Sequence, residues 1–150
     1  MKNIFDIKVT DEIISRINKL SSSDKPLWGK MSAPQMLAHC NVSYEMIYDD
    51  KHPKPNAILS FILKALVKKK VVSEEAYRHN SRTGPQFIIK DDKNFEQEKK
   101  RLIDFINKTQ KLGAEHFNGK ESLSFGTMTS HEWNNMLYKH LDHHLNQFGK

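Results

Sequence analysis

The stretch that decides the fold is Thr129-Ser130-His131-Glu132-Trp133-Asn134-Asn135-Met136-Leu137-Tyr138-Lys139-His140-Leu141-Asp142-His143-His144-Leu145-Asn146-Gln147. Thr129 followed three residues later by Glu132 is a capping-box pattern, in which hydroxyl and carboxylate satisfy free N–H groups at a helix start. The spacing predicts a helix that opens here and ends at Gly149. Taking Trp133 as zero, a helical rotation puts Leu137 at about +40°, His140 at about −20°, His144 at about +20° and Phe148 at about +60°. Both histidines therefore stand in the middle of the apolar stripe. Asn134, Asn135, Lys139, Asp142 and Asn146 fall on the other side, where a solvated face is expected, and His143 lies at the border. Two imidazoles one turn apart can converge on one ion, and burying both is costly unless something binds them. His140 and His144 are thus candidate metal ligands.

Working outward from this helix, four more helical segments follow from start and stop signals. The first runs from about Asp11 to Leu20 with Thr10 as N-cap. The second opens at Ser32, where Ser32-Ala33-Pro34-Gln35 is another capping box with proline in the first turn, and continues to about Tyr48. An apolar segment from about Ala57 to Lys70 comes after Pro53 and Pro55. Burial in the core is the expectation for it, with a homodimer interface as the alternative reading. Val71 to Asp91 lacks helical periodicity and reads as an ordered crossover that could serve as a lid. Asp92 is expected to cap the fourth helix and Gly113 to stop it. No convincing strand alternates anywhere. The fold class expected is all-α: a four-helix bundle with an additional short helix and a long crossover, in a single domain over residues 1–150.

The second helix supplies a third histidine. With Met36 at zero, Cys40 falls at about +40°, Ser43 at about −20°, Ile47 at about +20° and His39 at about −60°, on the inward flank. Cys40 is the only cysteine, which excludes an internal disulfide and thiolate cages of the zinc-finger kind. It reads as a small buried hydrophobe rather than a nucleophile. The net charge of +6 comes without a groove-reading motif or interleaved aromatics, so no specific nucleic-acid partner is expected. With no apolar leader and no run long enough to span a bilayer, a soluble cytoplasmic protein without a membrane partner is expected.

The segments Trp28-Gly29-Lys30-Met31-Ser32-Ala33-Pro34-Gln35-Met36-Leu37-Ala38-His39-Cys40 and His140-Leu141-Asp142-His143-His144-Leu145-Asn146-Gln147 resemble the two signature regions of the DinB-like superfamily. In that superfamily an early-helix histidine and a late H-x-x-x-H pair, trailed by a glutamine, bind a metal inside a four-helix bundle. The resemblance assigns His39, His140 and His144 as ligands and Gln147 as the trailing glutamine. Leu145-Asn146 departs from the usual arginine-glycine. What the resemblance implies is a metal-dependent enzyme acting on a small molecule, either a transferase using a low-molecular-weight thiol or a hydrolase. Zinc or nickel is the expected divalent metal ion. The alternative is a non-catalytic metal-binding or interaction module. No general base is named by the sequence: Asp142 and Glu45 point away from the stripe, and His143 reads as a surface histidine. Arg78, His79 and Arg82 in the crossover could meet an anionic substrate, but a solvated loop is the plainer reading.

Overall fold

Both capping boxes form as the sequence predicts. Ser32 Oγ accepts from the Gln35 amide and the Gln35 side chain accepts from Ser32, opening α2 (Ala33–Tyr48). Thr129 and Glu132 make the same reciprocal pair at the start of α6 (Ser130–Gln147). The computed structural model describes residues 1–150, which are mostly helical with one two-stranded sheet.

Three helix boundaries differ from expectation. The first helix, α1 (Ile7–Asn18), starts one turn early with Asp6 as its cap. Thr10 is instead fully buried and its hydroxyl donates to the Ile4 carbonyl at 2.9 Å. Asn94, not Asp92, caps the long fourth segment, α5 (Phe95–Phe117). Gly113, at φ 73° and ψ 169°, kinks α5 without ending it. The last turn re-forms because Phe117 is drawn into a small apolar cluster with Met128 and Trp133.

The apolar segment is helical over its whole length as α3 (Ala57–Ile62), a π-helical stretch (Leu63–Val67) and α4 (Lys68–Val72). It is not buried as expected: Ile58, Leu59, Phe61, Ile62 and Leu66 are exposed. The crossover that follows contains one 3-10 turn, Pro85–Phe87. A hairpin that the sequence did not announce, β1 (Lys120–Ser122) and β2 (Gly126–Met128), pairs antiparallel with Glu121 opposite Thr127.

The core lies between α1, α2, α5 and α6, with Ile13, Ile17, Met36, Leu37, Leu102, Ile106, Leu137 and Leu141 among its members. Each such side chain contributes about 1.5–3 kcal/mol by leaving water. One side of α6 expected to be solvated is covered. Asn134 Oδ1 accepts from the Ile4 amide at 2.6 Å and its amide donates to the Lys2 carbonyl. Asn135 donates to the Val72 carbonyl at 2.9 Å, and Lys139 Nζ donates to the carbonyls of Lys70 and Ser73. These polar residues are buried because they satisfy backbone groups of the N-terminal segment and of the α4 end. No helix is long and apolar enough to cross a membrane.

Candidate metal centre

The α2 register carries His39 to the inner face beside α6, and the i, i+4 spacing stacks His140 above His144 there. One ring nitrogen from each of the three lies within 4.8 Å of the other two. His39 Nε2 and His140 Nε2 are 3.0 Å apart. His39 and His144 are buried and His140 is partly so.

The opposite nitrogen of every ring is held by an oxygen. His39 Nδ1 lies 2.8 Å from the Phe87 carbonyl, so it must carry the proton and donate. His144 Nδ1 lies 2.8 Å from Gln147 Oε1. The Gln147 amide is fixed in turn, since its Nε2 donates to the Trp28 carbonyl at 2.7 Å. His140 Nδ1 lies 3.0 Å from Ser43 Oγ. Such outer partners fix tautomer and ring orientation in histidine metal sites. They leave the Nε2 lone pairs of His39 and His144 turned toward the cluster.

Burial keeps all three rings neutral. Desolvation lowers the His39 pKa, against the opposing pull of the Phe87 carbonyl. Desolvation, then the neighbouring imidazoles, push His140 well below the usual histidine range. His144 is lowered to about 3, again chiefly by burial, with the Gln147 bond acting in the other direction. Neutral imidazole is the form that ligates.

The donor set fits a divalent ion. At metal–nitrogen distances of about 2.0–2.1 Å, tetrahedral ligand atoms stand about 3.4 Å from one another. The separations here bracket that value, so small side-chain rotations close the set. No carboxylate or thiolate belongs to the cluster. Cys40 is buried against Met36, with the two sulfurs 3.8 Å apart, and burial raises its pKa. Asp142 pairs with Arg16, and Glu45, although buried, pairs with Arg101 and His52, so neither carboxylate joins the cluster. Three imidazoles could therefore form a metal site with a coordination position left for another molecule.

A cavity of about 600 Å³ opens onto the cluster. Its walls are largely apolar, from Met46, Leu63, Val67, Phe87, Phe125 and Met136. Lys30, Lys70, Arg78 and Arg82 also border it, and no acidic residue does. His143 is not a solvated surface histidine: it is half-buried and lines the cavity. Its ring stands 5.0 Å from that of His144, 5.7 Å from Tyr77 and 5.8 Å from Trp28. His79, to which the sequence assigned no firm role, stacks on Trp28 at 3.7 Å. All three clustered histidines and Gln147 are legible in the sequence, whereas Ser43 and the Phe87 carbonyl as their partners are not. Ser43 stood on the inward stripe of α2, which was the available signal. A backbone carbonyl from an aperiodic segment leaves none.

Comparison with curated proteins and with solved structures gave no match for either. Over residues 2–150 the chain matches the family described as "Protein of unknown function (DUF1569)", and it belongs to that family.

Proposed function

We propose that this protein is a metal-dependent enzyme acting on a small molecule, with His39, His140 and His144 holding zinc or nickel within a four-helix bundle of the DinB-like kind. The observation that carries the reading is three converging imidazoles, each with an oxygen partner on its outer nitrogen, at the floor of an apolar cavity. A site built only for structure would be closed by a fourth protein ligand, and no Cys, Asp or Glu joins these three. When bound, a divalent ion on neutral imidazoles retains its full charge, polarises a carbonyl and lowers the pKa of a coordinated thiol or water.

The chain's own residues supply the rest. Apolar walls exclude water and hold a substrate body, while Arg78, Arg82 and Lys70 at the border favour an anionic group. Burial and the nearby His79 lower the pKa of His143, which keeps its ring neutral and able to accept a proton from a thiol or a water in the cavity. Thiol transfer and hydrolysis both need such a proton acceptor beside an electrophilic centre.

The test is elemental analysis of protein purified without chelators, beside the His140→Ala/His144→Ala double variant. Near-stoichiometric metal in the parent, lost from a still-folded variant, is the expected result, and thiol-transfer and hydrolysis assays on the loaded protein follow. A parent that holds no metal and takes up neither zinc nor nickel overturns the reading.

A further inference from the structure

The charge of this chain is concentrated in one place. Residues 51–73 hold six lysines, Lys51, Lys54, Lys64, Lys68, Lys69 and Lys70, and no acidic residue. The remaining 18 basic and 18 acidic residues cancel, so this segment accounts for the whole net charge of +6. The same segment carries the three most exposed of the large apolar side chains, Ile58 at 75%, Leu66 at 75% and Phe61 at 72%, with Leu59 and Ile62 beside them. Its other side is engaged, since Leu63 and Val67 wall the cavity. The helix is also fixed in place, with Lys68 paired to Glu132 at 3.0 Å and Lys139 capping the Lys70 carbonyl. Lys54, Lys64, Lys69 and Lys70 have no carboxylate partner.

We propose that the outer face of Ala57–Val72 is an interfacial docking surface for an anionic lipid membrane. A basic helix with Phe, Leu and Ile on one side lies in the headgroup plane with its apolar face sunk about 5–10 Å. Lysine stems run along the apolar boundary and put their ammonium groups among lipid phosphates. Charge selects this occupant over a second copy of the chain: a two-fold pairing of the face sets lysines against the same lysines, which is repulsive. A nucleic acid would pair the lysines but leave five large apolar side chains in water. The inference runs against the sequence expectation of no membrane partner, and it is independent of the metal reading.

The experiment uses the full chain carrying Phe61→Trp, with sedimentation and fluorescence on phosphatidylcholine vesicles with and without phosphatidylglycerol. The result expected is binding to anionic vesicles only, weakened by salt, with a blue shift of the added tryptophan's emission. In otherwise unsubstituted protein, Lys64→Gln and Lys69→Gln each lower partitioning about fivefold. Phe61→Ser/Leu66→Ser abolishes binding while leaving the circular dichroism spectrum unchanged, because both side chains are exposed. If that double variant fails to fold, the Phe61→Trp blue shift decides alone. Three outcomes overturn the proposal: no binding to anionic vesicles at low salt, binding that survives Phe61→Ser/Leu66→Ser, or a dimer of the parent that this double variant dissociates. The last assigns the face to a second copy.

Discussion

His144 donates its Nδ1 proton to Gln147 Oε1 at 2.8 Å, and Gln147 spends its amide proton on the Trp28 carbonyl at 2.7 Å. Two residues of α6 and Trp28 in the loop before α2 are thereby joined in a chain of bonds that fixes which nitrogen of His144 faces the cluster. Ser43 does the corresponding task for His140 from α2. The orientation of the three imidazoles thus depends on groups outside the cluster.

Removing those groups should weaken the metal without unfolding the protein. Outer partners of ligating histidines are worth roughly 10–100-fold in metal affinity. Gln147→Leu and Ser43→Ala should each lower zinc affinity within that range in a competition titration against a chromophoric chelator. Unchanged affinity in both would show that packing alone orients the rings.

Gly29 reaches the same site by a steric route. Its φ is +81°, which side-chain-bearing residues rarely adopt, and a Cβ there would stand 2.6 Å from Gln147 Nε2. Gly29→Ala should cost about 1–3 kcal/mol of stability from the backbone conformation. It should also reproduce part of the metal-affinity loss of Gln147→Leu, because the amide must move off the Trp28 carbonyl. Gly113→Ala is the control: its φ is +73° with open space around it, so stability falls while affinity stays. Equal affinity loss in both variants would separate metal binding from the Gln147 contact.

The buried imidazoles also set a pH dependence for the metal-free protein. Unfolded histidine binds a proton near pH 6.5, whereas His144 in the fold does so only at about 3, and His39 and His140 are likewise lowered. As pH falls below 6.5 the unfolded state binds more protons than the native state, so stability is complete above 6.5 and is lost toward pH 3. Each ring contributes a slope of at most about 1.4 kcal/mol per pH unit. Urea midpoints of chelator-treated protein should therefore drop steeply between pH 6.5 and 5, and less steeply in His144→Gln. Parallel profiles for the two proteins would contradict the shift at His144.

Local signals that act within a few residues were legible in the sequence. The two capping boxes located α2 and α6, and the 100° rotation brought His140 and His144 onto the inner face. Signals that depend on distant partners were not. Thr10 looks like a cap by composition, yet it is buried because its hydroxyl finds the Ile4 carbonyl. Asn134, Asn135 and Lys139 look solvated by polarity, yet they bind carbonyls and amides of segments far away in the chain. Conversely, Ile58, Phe61 and Leu66 look like core by hydropathy and lie outside. Periodicity records which side a residue faces; what covers that side is decided by the tertiary fold.

The crossover is bonded to the histidine cluster through the Phe87 carbonyl. Phe87 sits in the 3-10 turn Pro85–Phe87, and its oxygen accepts from His39 Nδ1. When His39 Nε2 donates to a cation, the ring's remaining N–H becomes a stronger donor and the bond to Phe87 tightens. Zinc should then slow amide hydrogen exchange at Phe87 and Ile88, whose N–H groups close the turn. Coupling between two binding events is reciprocal, so loosening the turn must weaken the metal. Pro85→Gly adds about 0.4–1 kcal/mol of backbone freedom to the open crossover, equivalent to a two- to fivefold loss of apparent affinity. In His39→Ala the exchange rates at Phe87 and Ile88 should no longer respond to zinc. If they respond as in the parent, the crossover senses the ion by another path and the His39–Phe87 bond is only a packing contact.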